Sequence, residues 1–464
     1  MRPSVAAFLS FLWPGLGQAY RGERNRAIGQ ALPVIAAAVV GAGAILWLGS
    51  LVVVAYLFNP IVSLTLIAVV AALGAWRGWS IVDALRAPEP LPSRRGHLAL
   101  AVVLIAATVV SHAWVGWSLF SFYRAGQQIY EPIGVVDPGQ PTPQPTDQPT
   151  QSPTLEPGQT ARPTASPSPT RVPTPLPGAN ERVTILFIGV DNTHGPDRGL
   201  TDTLIVASFD PQTNSLAMIS IPRDTGRLQM YSGGVYRNRI NGLMQAATRD
   251  PDAYPDGPLG TLINEVSYLV GIPVNYYARI DIGGFTRLID LVGGIDVTLE
   301  HEIDDPTYQF SPTEVGFHLL PGTYHLDGKL ATAYARSRHG SGNSDYERAA
   351  RQQQILLALR ARVNDPQILL NLPGLLDAVS EIVRTDAPLD RLPDIVAIVQ
   401  RSHAAGTEHI VLAPPEYADR AFDPSGQPTS MTELDMTALA ELSIRLFGDE
   451  SRYARADAQP VAGP

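Results

Sequence analysis

The feature that most constrains this chain is a nearly unbroken apolar run near its amino terminus, from Ala31 to Trp76. A helix rises about 1.5 Å per residue and the hydrocarbon core of a bilayer is about 30 Å thick, so one span cannot accommodate this run. We predict two membrane-spanning helices here, at about residues 31–49 and 52–76. A third apolar run, at about residues 98–120, predicts a third span.

The segment before these spans, AFLSFLWPGLGQAY at about residues 7–20, is also apolar, but it is short and interrupted by Pro14, Gly15 and Gly17. It predicts a re-entrant or interfacial segment rather than a span. No small-residue cleavage site precedes the next apolar run, so we do not expect a cleavable signal peptide. We therefore assign residues 1–125 to a membrane anchor.

Basic residues predict the orientation of this anchor. They precede the first span and lie between the second and third, namely Arg21, Arg24, Arg26, Arg77, Arg86, Arg94 and Arg95. Cytoplasmic loops carry an excess of Lys and Arg. Both loops are therefore predicted to be cytoplasmic, and the chain after Phe120 is predicted to lie outside a cell membrane that it crosses three times.

Residues 126–181 are rich in Pro, Thr, Gln and Ser, as in PTPQPTDQPTQSPT and RPTASPSPTRVPTP. Such a segment cannot bury enough apolar surface to fold, and proline favours extended polyproline II conformation. We predict a disordered linker that acts as a spacer. At about 3.1 Å per residue it reaches on the order of 100 Å.

The composition excludes several classes of function. The formal net charge of −10 disfavours a general nucleic-acid binder, because phosphate backbones require clustered cations. The absence of cysteine excludes disulfides, thiolate metal sites and cysteine nucleophiles. Lys329 is the only lysine among 34 basic residues, so arginine is the common cation here and a single arginine carries little information.

Residues 182–449 predict one α/β or α+β domain, followed by a polar tail at residues 450–464. VTILFIGV is typical of a buried strand, and DTLIVASFD and SLAMISIP predict a hairpin around the turn DPQTN. GGFTRLIDLVGG has apolar residues at helical spacing and ends in glycines. YERAARQQQILLALRAR predicts a further helix, from about Tyr346 to Arg362.

Two aspartates and an arginine are predicted to meet at one edge of the sheet. Asp191 ends the first strand, Asp202 begins the second, and Arg223 follows the third, where Pro222 stops the ladder. Mg²⁺ takes one or two carboxylates and completes its shell with phosphate oxygens and water. Aspartates that cap turns are also common. Spacing alone therefore leaves both a metal–phosphate site and simple turn capping open.

A second candidate site is the arginine-rich stretch YARSRHGSGNSDYERAARQQQ. If TAYARSR is a strand, Tyr334, Arg336 and Arg338 project from one face, because side chains alternate along a strand. Guanidinium groups bind phosphate oxygens through two parallel hydrogen bonds, which a lysine cannot reproduce.

The second half of this stretch predicts a helix that begins near Asp345 as its N-cap. Arg348, Arg351 and Gln352 then occupy neighbouring positions at its start. Arginines near a helix N-terminus would hold a pyrophosphate. A polar, solvated helix start with Glu–Arg pairs is an equally good interpretation of the spacing.

Six segments in this order resemble the LytR-CpsA-Psr family of cell-envelope phosphotransferases: ILFIGVD, TDTLIVASFDPQTNSLAMISIPRDT, RINGLMQAA, LVGIPVNYYARIDIGGFTRLIDLVGGIDV, LPGTYHLDGKLATAYARSRH and DYERAARQQQILLAL. The resemblance covers about residues 183–447. It implies an α/β/α sandwich with a central mixed sheet and a hydrophobic tunnel for a polyprenyl chain. Many members have one span, so three spans are a departure.

The resemblance also implies roles for residues at the sheet edge. Asp191 and Asp202 match the magnesium-binding aspartates of the family, so Mg²⁺ is the expected cofactor. Arg223 matches an arginine that contacts the pyrophosphate. The family often has an arginine where this chain has Leu200, and Arg198 is a candidate replacement.

In the arginine-rich stretch, Arg336 and Arg338 match a pair that clamps the pyrophosphate. Asp345 matches a carboxylate proposed to act as a base or to position the acceptor. Arg348 and Gln352 match further ligands of the substrate pyrophosphate.

The function implied by the resemblance is that of a membrane-anchored extracytoplasmic phosphotransferase. It would move a glycan phosphate from a polyprenyl-pyrophosphate carrier to a hydroxyl of peptidoglycan, with the membrane, the lipid-linked glycopolymer and peptidoglycan as partners. One alternative is a pyrophosphatase that uses water as acceptor at the same site. Another is a non-catalytic module that binds envelope lipid or glycan, although the intact acidic pair and arginine set favour an enzyme.

Overall fold

A computed structural model describes residues 3–85, 94–133, 181–191, 200–340, 344–363, 372–401, 406–423 and 425–455. Most of the predicted linker lies outside the described residues, as does Arg198, the candidate replacement for the missing arginine.

In the part of the N-terminal region that the structure describes, six helices form: α1 (Pro3–Leu12), α2 (Leu16–Tyr20), α3 (Arg24–Leu48), α4 (Ser50–Tyr56), α5 (Pro60–Leu85) and α6 (Arg94–Ile129). Among the described residues, three segments are long and apolar enough to cross a membrane, namely Arg24–Leu48, Pro60–Leu85 and Leu98–Ile129. Three apolar helices are therefore confirmed, but the predicted start of the second span at residue 52 is wrong. Gly49, at φ 86°, ends α3, and α4 forms a separate short helix before α5.

The short apolar segment at residues 7–20 folds as a helical hairpin of α1 and α2. The two helices pack closely at Gly17, where an added Cβ would lie only 2.1 Å from the carbonyl oxygen of Ala6. The hairpin packs on α5, where the Gln18 side chain donates a 3.2 Å hydrogen bond to Asp83 Oδ2. Gln30 of α3 donates to the same oxygen at 2.9 Å. A buried polar cluster thus joins the hairpin to two long helices.

Residues 181–455 form the α/β domain, whose elements in chain order are β1 (Val183–Asp191), β2 (Leu200–Asp210), β3 (Ser215–Ser220), β4 (Gly226–Gln229), β5 (Val235–Arg239), α7 (Leu243–Arg249), α8 (Gly257–Val270), β6 (Tyr276–Asp281), α9 (Ile282–Leu291), β7 (Ile295–Leu299), β8 (Ile303–Ser311), β9 (Glu314–Leu319), β10 (Gly322–Leu326), α10 (Gly328–Arg336), α11 (Asp345–Val363), α12 (Leu372–Ile382), β11 (Val383–Thr385), α13 (Leu392–Arg401), β12 (Thr407–Val411), β13 (Ala418–Phe422), β14 (Pro428–Leu434) and α14 (Met436–Phe447).

The core of this domain is a six-stranded mixed sheet in the order β11-β6-β1-β2-β3-β12. β1 runs antiparallel to β2 and parallel to β6, and β2 and β3 form the predicted hairpin. α7, α8 and α14 cover one face of the sheet, whereas α11 and α13 cover the other. These layers confirm the predicted α/β/α sandwich with a central mixed sheet.

The predicted strand at TAYARSR is wrong, because this segment is helix α10 followed by a loop. Asp327 caps the helix, accepting a 2.8 Å hydrogen bond from the backbone N–H of Leu330. The following residues, GKLATAYA, are rich in alanine and other good helix formers. Strand alternation therefore cannot be the reason that Arg336 and Arg338 lie near each other.

The domain also extends past both of its predicted boundaries. α6 continues to Ile129, and Glu131 donates its backbone N–H to the Thr385 carbonyl at 2.8 Å, so residues 126–133 are not linker. At the other end, Ser451 and Tyr453 are buried, and the Arg452 guanidinium lies 3.5 Å from the Tyr268 ring centroid. The domain therefore extends to at least Tyr453, and the predicted start of the polar tail at residue 450 is wrong.

Candidate active site

A cavity of about 430 Å³ lies between strands β1, β2 and β6 and helices α9, α10 and α11. Most of its wall is apolar, with Phe187, Ile205, Phe285, Leu288, Ile355, Leu356, Leu359 and Val383. Its polar end is lined by Asp191, Asp202, Arg223, Arg336, Arg338, Arg348 and Gln352. The structure therefore brings all of the predicted site residues except Asp345 to the wall of one cavity.

The two aspartates reach this cavity from neighbouring strands. Asp191 is the last residue of β1, and Asp202 is the extra residue of a β-bulge, because Gly189 pairs with Thr203 while Val190 pairs with Thr201. A bulge redirects the side chain of the extra residue. Both carboxylates are mostly buried, at 17% and 22% exposure.

Each aspartate is paired with an arginine. Asp202 Oδ1 accepts a 2.7 Å hydrogen bond from Arg223 Nη1, and Asp191 Oδ2 accepts one of 3.1 Å from Arg336 Nη2. Burial alone would lower the pKa of Arg223, but its hydrogen bond and charge interaction with Asp202 raise that pKa above the ordinary value. Arg223 therefore stays charged at the cavity.

Two of the arginines have unused hydrogen-bonding capacity. The Nε atoms of Arg223 and Arg348 are buried and have no hydrogen-bond partner among the described residues. Arg348 is only 5% exposed, and this burial lowers its pKa, although its Nη1 lies 2.7 Å from Asp345 Oδ1. Buried donors without a partner are costly, so an anion that accepts from both guanidinium groups would be stabilised at this end of the cavity.

Arg338 and Gln352 complete the polar end. Arg338 is exposed, and its guanidinium makes no ion pair within the part of the chain that the structure describes. Gln352 donates from Nε2 to the Ala335 carbonyl at 3.1 Å. This bond fixes α11 against the last turn of α10, so the two arginine-bearing elements lie side by side.

Arg351 belongs to the same sequence stretch but does not line the cavity. Its Nε donates to the Tyr334 carbonyl at 2.9 Å and its Nη2 to the Ser337 carbonyl. These contacts satisfy carbonyl groups at the carboxyl end of α10, and burial lowers the pKa of Arg351 to about 10. This arginine is therefore structural.

The predicted N-cap at Asp345 is also wrong. The Ser344 side chain accepts from the backbone N–H of Glu347 at 3.2 Å, so Ser344 caps α11 and Asp345 is its first residue. Asp345 instead lies beside Asp224, a residue that the sequence did not single out although it directly follows Arg223. Burial, and then the neighbouring carboxyl group of Asp345, raise the pKa of Asp224. Asp224 therefore keeps its proton to a higher pH than an isolated aspartate would.

A second missed residue is Asp305, which is 1% exposed. Its Oδ2 accepts hydrogen bonds from Ser337 Oγ at 2.9 Å and from the backbone N–H groups of Arg338 and His339 at 3.3 Å. Its Oδ1 accepts from the backbone and the hydroxyl of Thr307, at 3.2 and 2.9 Å. Asp305 thereby fixes the loop that carries Arg338.

With this geometry established, comparison with known proteins identifies the family. The model of the LytR_cpsA_psr family matches residues 154–425, which is more than half of the chain. The chain belongs to the LytR-CpsA-Psr family.

Two curated relatives carry the name polyisoprenyl-teichoic acid–peptidoglycan teichoic acid transferase TagU. The one from Halalkalibacterium halodurans is 34% identical over 212 residues, which cover 46% of this chain and 63% of the relative. The one from Bacillus cereus is 30% identical over 216 residues, covering 47% and 64%. The chain thus spans less than two thirds of the length of these relatives. The crystal structure of B. subtilis TagV aligns with 61% of this chain and 99% of its own, at 26% identity and a TM-score of 0.44.

Proposed function

We propose that this LytR-CpsA-Psr protein is a membrane-anchored enzyme that transfers a glycan phosphate from a polyprenyl-pyrophosphate carrier to a peptidoglycan hydroxyl outside the cytoplasm. The observation that carries this proposal is the cavity, whose body is apolar and whose one end holds four arginines. Such a cavity complements a lipid chain that ends in a pyrophosphate. The names of the TagU relatives support a transferase of cell-wall glycopolymer.

Asp191 and Asp202 would hold Mg²⁺ in this proposal. Among the described residues, no group of three or more acidic or histidine side chains could hold a metal ion. Two carboxylates nevertheless fit Mg²⁺, which completes its shell with phosphate oxygens and water. Bound there, the ion would neutralise pyrophosphate charge, as it does in other phosphoryl transfers.

The side chains of this chain would bind the donor and receive the proton. Arg223 and Arg348 would donate their unused Nε–H groups to phosphate oxygens, and Arg336 and Arg338 would neutralise further charge. The acceptor hydroxyl oxygen attacks the phosphorus next to the glycan, and the bond from that phosphorus to the polyprenyl phosphate breaks. The hydroxyl proton passes to the Asp224–Asp345 pair, for which Asp345 is the proposed acceptor.

The test uses the full chain in lipid nanodiscs, a polyprenyl-pyrophosphate-linked glycan and a soluble peptidoglycan oligomer. We expect glycan phosphate attached to the oligomer and one polyprenyl phosphate released per transfer. Release of glycan phosphate without attachment would instead identify a pyrophosphatase. Donor binding without turnover would identify a binding module.

A further inference from the structure

The long helix α6 does not end at the predicted membrane surface but continues onto the α/β domain. Its residues Phe122, Ala125 and Ile129 pack with Leu376 of α12 in one apolar cluster. Phe58, which follows α4, joins this cluster and makes an edge-to-face contact with Phe122 at 5.4 Å between ring centroids. α4 itself packs on α13. We call this contact of α4, Phe58 and residues 122–133 with α12, α13 and β11 the junction.

Polar contacts fix the junction at the edge of the central sheet. Tyr130 forms a parallel bridge with Thr385 of β11, and Ser380 Oγ donates to Gln128 Oε1 at 2.7 Å. Glu131 accepts a 2.8 Å hydrogen bond from the Tyr277 hydroxyl at its carbonyl. Several apolar and polar contacts thus act together, which distinguishes the junction from a flexible tether.

The junction and the cavity share side chains. Val383 lines the cavity and also packs against the apolar cluster of the junction. Arg279 lines the cavity and pairs with Glu131 at 2.9 Å. The Arg279 side chain is 30% exposed and the Glu131 side chain 44% exposed, so solvent reaches this side of the cavity wall near the end of α6, which we take as the opening. Arg279 of β6 lies opposite Ile188 of β1, so this side of the cavity is one strand, about 4.8 Å across the sheet, from the strand that ends in Asp191.

The junction also means that the Pro/Thr-rich segment does not act as the spacer between the α/β domain and the apolar helices. Ile133 packs against the main core cluster of the α/β domain, and Arg182 pairs with Asp210 at 3.0 Å. The chain is therefore on the domain before residue 134 and again after residue 180. Whatever the length of that segment, it does not determine the distance between the domain and the long apolar helices.

We propose that the junction seats the α/β domain on the membrane so that the polyprenyl chain of the donor passes from the bilayer into the cavity alongside α6. This inference rests on the proposed function and adds the route by which its substrate is loaded. A lipid that stays at the membrane surface next to the opening has a high effective concentration there. Loss of the junction should therefore impair the use of a bilayer-embedded donor and not that of a water-soluble one.

Two glycines of α6 provide a matched pair of variants. A Cβ on Gly126 would lie 3.1 Å from both the Phe58 carbonyl oxygen and Leu389 Cδ1, so Gly126→Leu should force the junction apart. A Cβ on Gly116 would meet nothing within 4 Å, so Gly116→Leu adds the same side chain without disturbing it.

Transfer to a peptidoglycan oligomer is measured in nanodiscs with a long-chain donor and with a short-chain, water-soluble donor. We expect the transfer rate of Gly126→Leu to fall about tenfold or more with the long-chain donor and to stay within about twofold with the short-chain donor. Gly116→Leu should leave both transfer rates unchanged. An equal loss with both donors, or no loss with either, would overturn the loading route. If the wild type transferred glycan phosphate from neither donor, the proposed function would be refuted instead.

Docking itself can be measured without turnover, because the chain has no cysteine. A short thiol cross-linker should join Cys pairs at Gly126→Cys and Leu389→Cys within the full chain. It should not join Gly116→Cys to Leu389→Cys, since residue 116 is about 15 Å further along the helix. Absence of the first cross-link would overturn the junction even if transfer were observed.

Discussion

Replacement of the buried Asp305 by asparagine should loosen the loop that carries Arg338. The carboxylate accepts five hydrogen bonds, three at Oδ2 and two at Oδ1. Asparagine keeps one acceptor oxygen and presents an NH₂ group at the other position, so at least two charge-assisted bonds are lost. At about 1.5 kcal/mol each, the lower end for bonds to a charged group, the loop should lose about 3 kcal/mol.

Hydrogen–deuterium exchange measures this loss at the loop itself. The backbone N–H groups of Arg338 and His339 donate to Asp305, so their exchange reports the opening of this contact. A loss of about 3 kcal/mol corresponds to roughly a hundredfold faster exchange in Asp305→Asn. Binding of a short-chain polyprenyl pyrophosphate should weaken in parallel, because Arg338 is no longer held at the cavity.

The pH dependence of this loop protection gives a second measure, and the pKa of Asp305 determines its direction. Burial alone would raise the pKa of Asp305, but the hydrogen bonds from Thr307, Ser337 and His339 together lower it. A lowered pKa in the folded state means that the stabilisation is present above the unfolded pKa and is lost as the pH falls through the lowered value. Protection of the loop should therefore decline below about pH 4 in the wild type and stay flat in Asp305→Asn.

The neighbouring Asp304 is exposed and supplies the control. Asp304→Asn removes the same charge one residue away. It should change the free energy of loop opening, as measured by exchange, by less than about 0.5 kcal/mol, as for other surface substitutions. If Asp305→Asn exchanged as slowly as Asp304→Asn, the assignment of Asp305 as the residue that positions this loop would be wrong.

Three further predictions concern the proposed site and the N-terminal region. Arg336→Lys keeps the charge but loses the planar fork, so affinity for a short-chain polyprenyl pyrophosphate should fall about tenfold, and equal affinity would mean that the arginine is merely solvated. Asp191→Asn and Asp202→Asn should each abolish Mn²⁺ binding followed by electron paramagnetic resonance, with circular dichroism unchanged; unaltered binding in both would refute the metal site. A reporter fused after Tyr123 should lie outside and one near Ala87 inside, so a cytoplasmic signal at Tyr123 would reverse the topology.

The sequence predicts that Asp191, Asp202 and Arg223 lie together, because the end of a strand follows from apolar runs and turn residues. These positions depend on local patterns, and the hairpin of β2 and β3 returns the chain to the same edge. The bulge that turns Asp202 towards the cavity was not predictable, since it depends on the register between two strands.

In the arginine-rich stretch, Arg336 and Arg338 were predicted to lie near each other from an incorrect secondary structure. Arg336 and Arg338 do line one cavity, but from the end of a helix and the loop after it rather than from one face of a strand. The short apolar–polar alternation of TAYARSR is compatible with either structure, and the cap at Asp327 decides for the helix. Asp305 gave no signal, because its burial depends on contacts made 32 to 34 residues away.

The Asp224–Asp345 pair leads to the last prediction, on the pH dependence of transfer. Asp224 faces Arg223, Arg239 and Arg348 as well as Asp345, and Tyr346 lies nearby. Its raised pKa means that the pair keeps its proton to a higher pH than a lone aspartate would, so fewer pairs are free to accept the hydroxyl proton at mildly acidic pH.

Asp224→Asn removes this ionisable group and leaves a neutral amide beside Asp345. The acid limb of the pH profile for transfer should therefore move to lower pH, by about one unit. Glu347→Gln removes an exposed carboxylate from the same first turn of α11 and should leave the limb in place. An unshifted limb in Asp224→Asn would show that the pair does not receive the proton, because titration of the receiving group must respond when its charged neighbour can no longer ionise.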